Sequence, residues 1–461
     1  MYLTHANARY IGNRKRQSDG MQEADSRGLR DAIGPDAVRR LEKALSAARR
    51  VEENQVRVMP RSAEVINGLY DSVYNARWRC VISGKMYKNQ PFGMKLLNAK
   101  TEVPCLWSRG DVDMTPELGQ SYDIEEMLVR SEKVPVVAVL SSALGWPNRM
   151  HTPQQPLQAL PAPQGESDDY THLYIRKEMM RVWYIIEEEL DRWLKPDECR
   201  MPQYHIAIGT AGIGKTRGLG PFLLYQLLHY SSEELCAIAY FSKGEVCILH
   251  RHKGDTPGMA VYYNVQDGVS EIERMATQCR KGYAIFDEYK EEIFPYSFPP
   301  CWGALVMSTP SPERFEHWVN RYQALPIYIN CHDNLELKVL HALGRFSALR
   351  QEVPLTEEMI EGLKREWDEL ELRVRKVGPL IRYVLGSHFH SRWEDVEQVL
   401  QNSSRQYRRY SSGASRYSIN WKEHAALFKT TRYMMEGAEV GICEPVSVIV
   451  HEKLNSVDGG R

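Results

Sequence analysis

Net charge is almost absent from this sequence: 59 Lys and Arg against 60 Asp and Glu leave a formal −1 over 461 residues. Bulk charge therefore directs the chain to no nucleic acid, membrane or acidic partner, and any such preference must be local. Cysteine pairing motifs are missing as well. The nine cysteines, at 80, 105, 199, 236, 247, 279, 301, 331 and 443, are odd in number and form no Cys-x-x-Cys pair. That argues against a disulfide framework or a zinc ribbon and fits reduced thiols in an intracellular protein. The first nine residues lack the apolar core of a signal peptide. No apolar run reaches the roughly 18–20 residues that a membrane span requires. What remains is an ordinary soluble composition, 43% hydrophobic and 26% charged.

The chain divides by composition. Residues 1–62 are rich in arginine and poor in aromatics. There Arg14-Lys15-Arg16 reads either as a solvated tail or as a nuclear address. Val38, Leu41, Leu45 and Ala48 recur at helical spacing between Ala37 and Glu53. Over 63–147, strand-length runs at Trp78–Ile82, Gly93–Leu97 and Val134–Leu140 predict a small mixed α+β domain. Prolines 147, 153, 156, 161 and 163 then mark 148–169 as an extended linker. From Tyr170 to Leu194 the apolar stripe Leu173, Met179, Val182, Trp183, Ile186, Leu190 and Trp193 predicts a helix that opens a core spanning 170–350. Residues 351–461 are expected to be helical.

The chemistry begins where the short strand Tyr204–Ile208 runs into Gly209-Thr-Ala-Gly-Ile-Gly-Lys-Thr216. This is a full G-x-x-x-x-G-K-[ST] match, followed by the amphipathic stripe Leu219, Phe222, Leu223, Gln226, Leu227 and Tyr230. Strand, loop and helix in that order turn a pattern into a structural expectation. Gly209, Gly212 and Gly214 permit backbone angles that aim N–H groups at phosphate oxygens, with Thr210, Ala211 and Ile213 completing the loop. The helix start adds partial positive charge. Lys215 supplies a cation for the β- and γ-phosphates of ATP, and the Thr216 hydroxyl a ligand position for Mg²⁺.

Such a loop needs an acid at the end of a second strand, and Lys281–Phe286 ends in Asp287-Glu288. Asp287 is assigned to the metal and Glu288 to the general base that polarises water, against the plainer reading of a polar turn. Trp302–Met307, set between these two strands, delivers Ser308 or Thr309 beside the γ-phosphate as a sensor. With Cys236–Phe241, Glu245–Leu249 and Leu325–Asn330, the strands suffice for a five-stranded, mainly parallel sheet with helices on both faces. The expected class is an α/β P-loop fold of the additional-strand, AAA-like kind. For transition-state charge, Arg382 in Val377-Gly-Pro-Leu-Ile-Arg-Tyr383 is preferred over Arg314, Arg321, Arg345 and Arg350, because a Gly-Pro turn leads a helix back toward the nucleotide.

With these residues the chain resembles the retrotransposon hot spot (RHS) proteins of trypanosomes. The resemblance is carried by Gly209–Thr216 with Leu223-Leu-Tyr-Gln-Leu-Leu-His-Tyr230, by Val73-Tyr-Asn-Ala-Arg-Trp78 and by Ile175-Arg-Lys-Glu with Val182-Trp-Tyr184. Ala324-Leu-Pro-Ile327 and Gly378-Pro-Leu380 with Arg382-Tyr383 add to it. It covers about 65–385 and weakens beyond about 400, as in a copy short of a longer C-terminal region. The family pattern has Pro at Ala211 and usually Ser at Thr216, and its acidic pair is less regular than Asp287-Glu288. The resemblance implies a multigene family, nuclear or nuclear plus cytoplasmic. It also implies chromatin or RNA-processing partners and ATP hydrolysis.

Residues 403–422 interleave Arg405, Arg408, Arg409, Arg416 and Lys422 with Tyr407, Tyr410, Tyr417 and Trp421. The segment reads as a contact for RNA or single-stranded DNA or as a Ser-rich loop with locally packed tyrosines. His250/His252 and His388/His390 lack a third ligand at convincing spacing. Two functions follow: a Mg²⁺-dependent ATPase switch in a nuclear, chromatin- or RNA-linked process, or a non-catalytic interaction module in which ATP binding is structural. A small-molecule kinase fits less well, since no acceptor-binding lid is visible.

Overall fold

The computed structural model describes residues 63–66, 68–83, 90–98, 106–112, 115–117, 134–147, 171–195, 200–251, 258–287, 298–345, 356–407 and 421–456. The 37–53 helix, the whole 148–169 linker and Glu288 lie outside these residues. So do the side chains of the 403–422 segment.

Alternation of apolar residues builds two sheets. The smaller is antiparallel, in the order β3 (Met94–Asn98), β2 (Arg77–Ser83), β4 (Val134–Ser141), β5 (His172–Ile175). Both of its faces are buried. Cys80, Ile82, Ala138, Leu140, Leu173 and Ile175 pack against the helices Lys177–Trp193 and Gly220–His229. Val81, Val137 and Val139 pack beneath Val339 and Leu343 of the helix Asn334–Arg345. The period of two explains this, because successive residues point to opposite faces. Residues 172–175 are thus a strand rather than the start of the expected 170–194 helix. Leu173 and Ile175 face one way while His172 and Tyr174 face the other, and the helix begins at Lys177.

The larger sheet has eight strands, not five. Its order is β1 (Ala63–Val65), β9 (Gly258–Tyr262), β8 (Glu245–His250), β7 (Leu235–Ser242), β10 (Lys281–Phe286), β11 (Trp302–Ser308), β6 (His205–Gly209), β12 (Leu325–Ile329). From β7 to β12 every pairing is parallel, while β8, β9 and β1 extend the sheet antiparallel. β11 lies between β6 and β10, as expected. One face (Tyr240, Ile285, Leu305, Met307, Ile329) is covered by the 177–193 and 220–229 helices. The other (Ile208, Phe241, Ile248, Phe286, Val306) is covered by Val265–Thr277 and Pro312–Tyr322, with Trp318 fully buried.

The C-terminal region is not purely helical. Beside helices such as Glu357–Val377 and Phe389–Tyr407 it holds a hairpin, β13 (Phe428–Met435) with β14 (Ala438–Pro445). Glu436 and Gly437 both take positive φ, 53° and 78°, which is the two-residue turn that matches strand twist. The hairpin lies along the outer edge of β12 and protects it. Glu439 accepts the Tyr328 N–H at 2.9 Å and pairs with Arg181, whose guanidinium also donates to the Tyr328 carbonyl. Among the described residues no helix is long and apolar enough to cross a membrane.

Candidate functional site: the glycine loop and its surroundings

The glycine loop sits at the carboxyl end of β6, where open α/β sheets bind ligands. Gly212 and Gly214 have φ of 91° and 90°, angles at which an L side chain is strained. An added Cβ at Gly214 meets no described atom within 4 Å, so the loop is open there. Ile213 is buried and anchors the loop against the sheet, and Ala211 is half-buried at its crest. Gly209 leads out of β6. Thr210 is 2% exposed, and its hydroxyl accepts the Thr430 N–H at 2.9 Å, so β13 touches the loop directly. Half-buried Thr216 lies in the first turn of a helix that starts wide, with the Gly220 N–H donating to the Lys215 carbonyl.

Lys215 folds back onto its own loop, donating to the carbonyls of Gly209 at 2.5 Å and Thr210 at 3.0 Å. Part of the side chain reaches the surface, but the ammonium lies among protein atoms. Burial pulls its pKa down to about 7, Arg382 and Arg176 push the same way, and Cys331 and Asp287 oppose them. Lys215, Asp287 and Arg382 therefore share one neighbourhood.

Asp287 is 1% exposed at the end of β10. Its N–H donates to the Phe241 carbonyl at 2.8 Å, and the Tyr240 hydroxyl donates to Oδ2 at 2.6 Å. Ser308 ends β11 in register with Ile208, and its hydroxyl donates to the Thr309 carbonyl at 2.9 Å. Arg382 follows the Gly378–Pro379 turn, and its backbone N–H donates to the Gly212 carbonyl at 3.2 Å. Its side chain is exposed.

Three contributors were invisible in the sequence. Tyr240 looks there like any strand residue. Arg176, 3% exposed, donates to the carbonyls of Asn330 and Cys331 and pairs with Glu336 at 3.3 Å. Arg432, 2% exposed, pairs with Glu178 at 2.8 Å, and its N–H donates to the Asn330 side chain. These ion pairs clamp the turn after β12 beside the loop. A buried arginine carries no sequence signal, since arginine is ordinarily exposed.

Two family models match. The retrotransposon hot spot protein, P-loop domain, covers residues 206–457, more than half of the chain. The chain belongs to this family. The retrotransposon hot spot proteins N-terminal model covers 70–203. The P-loop match reaches well past residue 400, where the resemblance read from the sequence weakens. The junction between the two models falls just before β6, whereas β5 and the 177–193 helix bury their apolar faces with the P-loop segment. No curated protein matches the chain. For this member of the retrotransposon hot spot family, the loop geometry and the P-loop domain agree on nucleotide binding.

Proposed function

We propose that this chain is a Mg²⁺-dependent ATPase switch of the additional-strand, AAA-like class. One observation carries the reading: a lysine-bearing glycine loop on β6 and a buried aspartate at the end of β10 flank β11, the strand that distinguishes this class. The residues fit a nucleoside triphosphate with a divalent cation. Gly209–Thr216 cradles the phosphates, Lys215 exchanges its two carbonyl partners for phosphate oxygens, and Thr216 and Asp287 hold the cation. A divalent cation held there would supply charge neutralisation for the phosphates. Glu288 polarises the attacking water, Ser308 reads the γ-phosphate, and Arg382 balances charge developing in the transition state.

The C-terminal hairpin touches Thr210, and the Gly378–Arg382 turn touches Gly212. Loop occupancy is thereby transmitted to the C-terminal elements, which act on a nuclear, chromatin- or RNA-linked partner. The test is phosphate release from ATP-Mg²⁺ by wild type, Lys215→Ala and Glu288→Gln, with and without RNA. Turnover lost in both variants and raised by RNA in wild type is expected. Nucleotide binding that Lys215→Ala removes, without any wild-type turnover, identifies a non-catalytic interaction module instead.

A further inference from the structure

Tyr240 bonds to Asp287 and lies beside Gly220 at the start of the helix that follows the glycine loop, without belonging to either sequence motif. It stands on β7, 1% exposed, on the face covered by the 220–229 helix. In the parallel ladder Tyr240 lies opposite Ile285. Asp287 is two residues further along, so the aspartate projects from the same face, one pleat ahead. The phenol spans that diagonal and donates to Asp287 Oδ2 at 2.6 Å. The Asp287 N–H bonds to Phe241 on the same strand, which fixes the backbone that carries the carboxylate.

The other side of the phenol faces the loop helix. A Cβ built on Gly220 would lie 2.7 Å from the Tyr240 oxygen and 2.7 Å from Met307 Cε. Any side chain at 220 displaces the hydroxyl or the helix. Gly220 is also the residue whose N–H bonds to the Lys215 carbonyl. A glycine at the helix start, a buried phenol and a buried carboxylate thus form a continuous stack from the loop to the end of β10.

We propose that Tyr240 is the positioning residue for Asp287, orienting its carboxylate toward the divalent cation of a bound nucleoside triphosphate, and that Gly220 is the vacancy that admits it. The inference rests on the proposed function above. Metal-binding carboxylates are commonly oriented by a hydrogen-bond partner behind them, and loss of such a partner typically lowers metal affinity by about 10–100-fold.

The experiment is equilibrium binding of a fluorescent ATP analogue to the full chain, first in EDTA and then titrated with Mg²⁺. Thermal unfolding checks that each variant is folded. Tyr240→Phe is expected to keep its magnesium-free binding and to shift the Mg²⁺ midpoint upward by about tenfold or more. Gly220→Ala, which pushes the phenol aside, should give the same shift, so a folding failure in one variant leaves the other informative. In an Asp287→Asn background, Tyr240→Phe should have no further effect, because the group it orients is gone. A Tyr240→Phe midpoint equal to wild type overturns the inference alone. Absence of nucleotide binding in wild type overturns the proposed function and this inference together.

Discussion

The backbone N–H of Thr430 donates to the hydroxyl of Thr210 at 2.9 Å, joining residues 220 positions apart in the chain. One partner is the second residue of the glycine loop, and the other lies on β13, among the last elements of the fold. The bond is buried. Thr210→Val keeps the side-chain shape but leaves the Thr430 N–H without its acceptor, at a cost of about 1–3 kcal/mol. A lowered urea midpoint with an unchanged m-value is expected, and Thr210→Ser should retain the wild-type midpoint. An unaltered midpoint in Thr210→Val would sink the claim that this contact holds the hairpin to the loop.

The depressed pKa of Lys215 makes nucleotide binding pH-dependent. In the free protein the ammonium releases its proton near pH 7 instead of near 10.5, chiefly through burial. Bound phosphates favour the charged form and raise the value again. Above about pH 7 binding must therefore take up a proton, and affinity falls as pH rises. Calorimetry at pH 8 in two buffers of different ionisation enthalpy measures the uptake. Lys215→Arg, whose guanidinium stays charged, is expected to abolish it.

Arg432 and Glu178 form a buried pair at 2.8 Å. Burial alone would raise the Glu178 pKa, but Arg432, Arg181 and Arg176, with the Asn330 N–H, bring it below the ordinary value. The carboxylate therefore contributes stability above the unfolded pKa, and that contribution fades as pH falls through the folded one. Arg432→Met leaves Glu178 without its main partner and is expected to destabilise the protein by about 3–5 kcal/mol. Combining it with Glu178→Gln should recover part of the loss. Denaturant unfolding of the four proteins in that cycle measures it, and simple additivity would contradict the pairing.

Gly378 ends the 357–377 helix at φ 81° and ψ 174°, a region open in practice to glycine alone. A Cβ there would also run into the Val446 carbonyl. Gly378→Ala is expected to cost about 2 kcal/mol or more. Because the same turn carries Arg382 to Gly212, ATP affinity should fall with stability. Affinity at the wild-type level in a destabilised Gly378→Ala protein would separate the turn from the nucleotide site.

The loop and the strands around it were legible because their signals are local. Gly209–Thr216 states its own conformation, and fully buried strands such as Ala207–Ile208 or Ala284–Phe286 read as apolar runs. The 172–175 strand is not legible in the sequence because Leu173 also falls on the stripe that continues through Met179, and four residues are too few for a period of two to stand out. The 428–445 hairpin is hidden in the sequence because two of the alternating buried positions of β13, Thr430 and Arg432, are polar, so its period of two is not one of hydrophobicity. For Asp287 the sequence indicated the acid but not its orientation.

By itself, the sequence determined the glycine loop, the strand that carries it, the strand that ends in Asp287 and the family. Each of these is written in contiguous residues whose backbone preferences and apolar spacing need no distant partner. Only the tertiary structure decided that the small sheet is buried on both faces by the P-loop segment. It alone brought the C-terminal hairpin onto Thr210, clamped the β12 turn between Arg176 and Arg432, and set Tyr240 against Asp287 and Gly220. Those contacts join residues tens to hundreds of positions apart. Their geometry depends on strand order and close packing, and composition and periodicity encode neither.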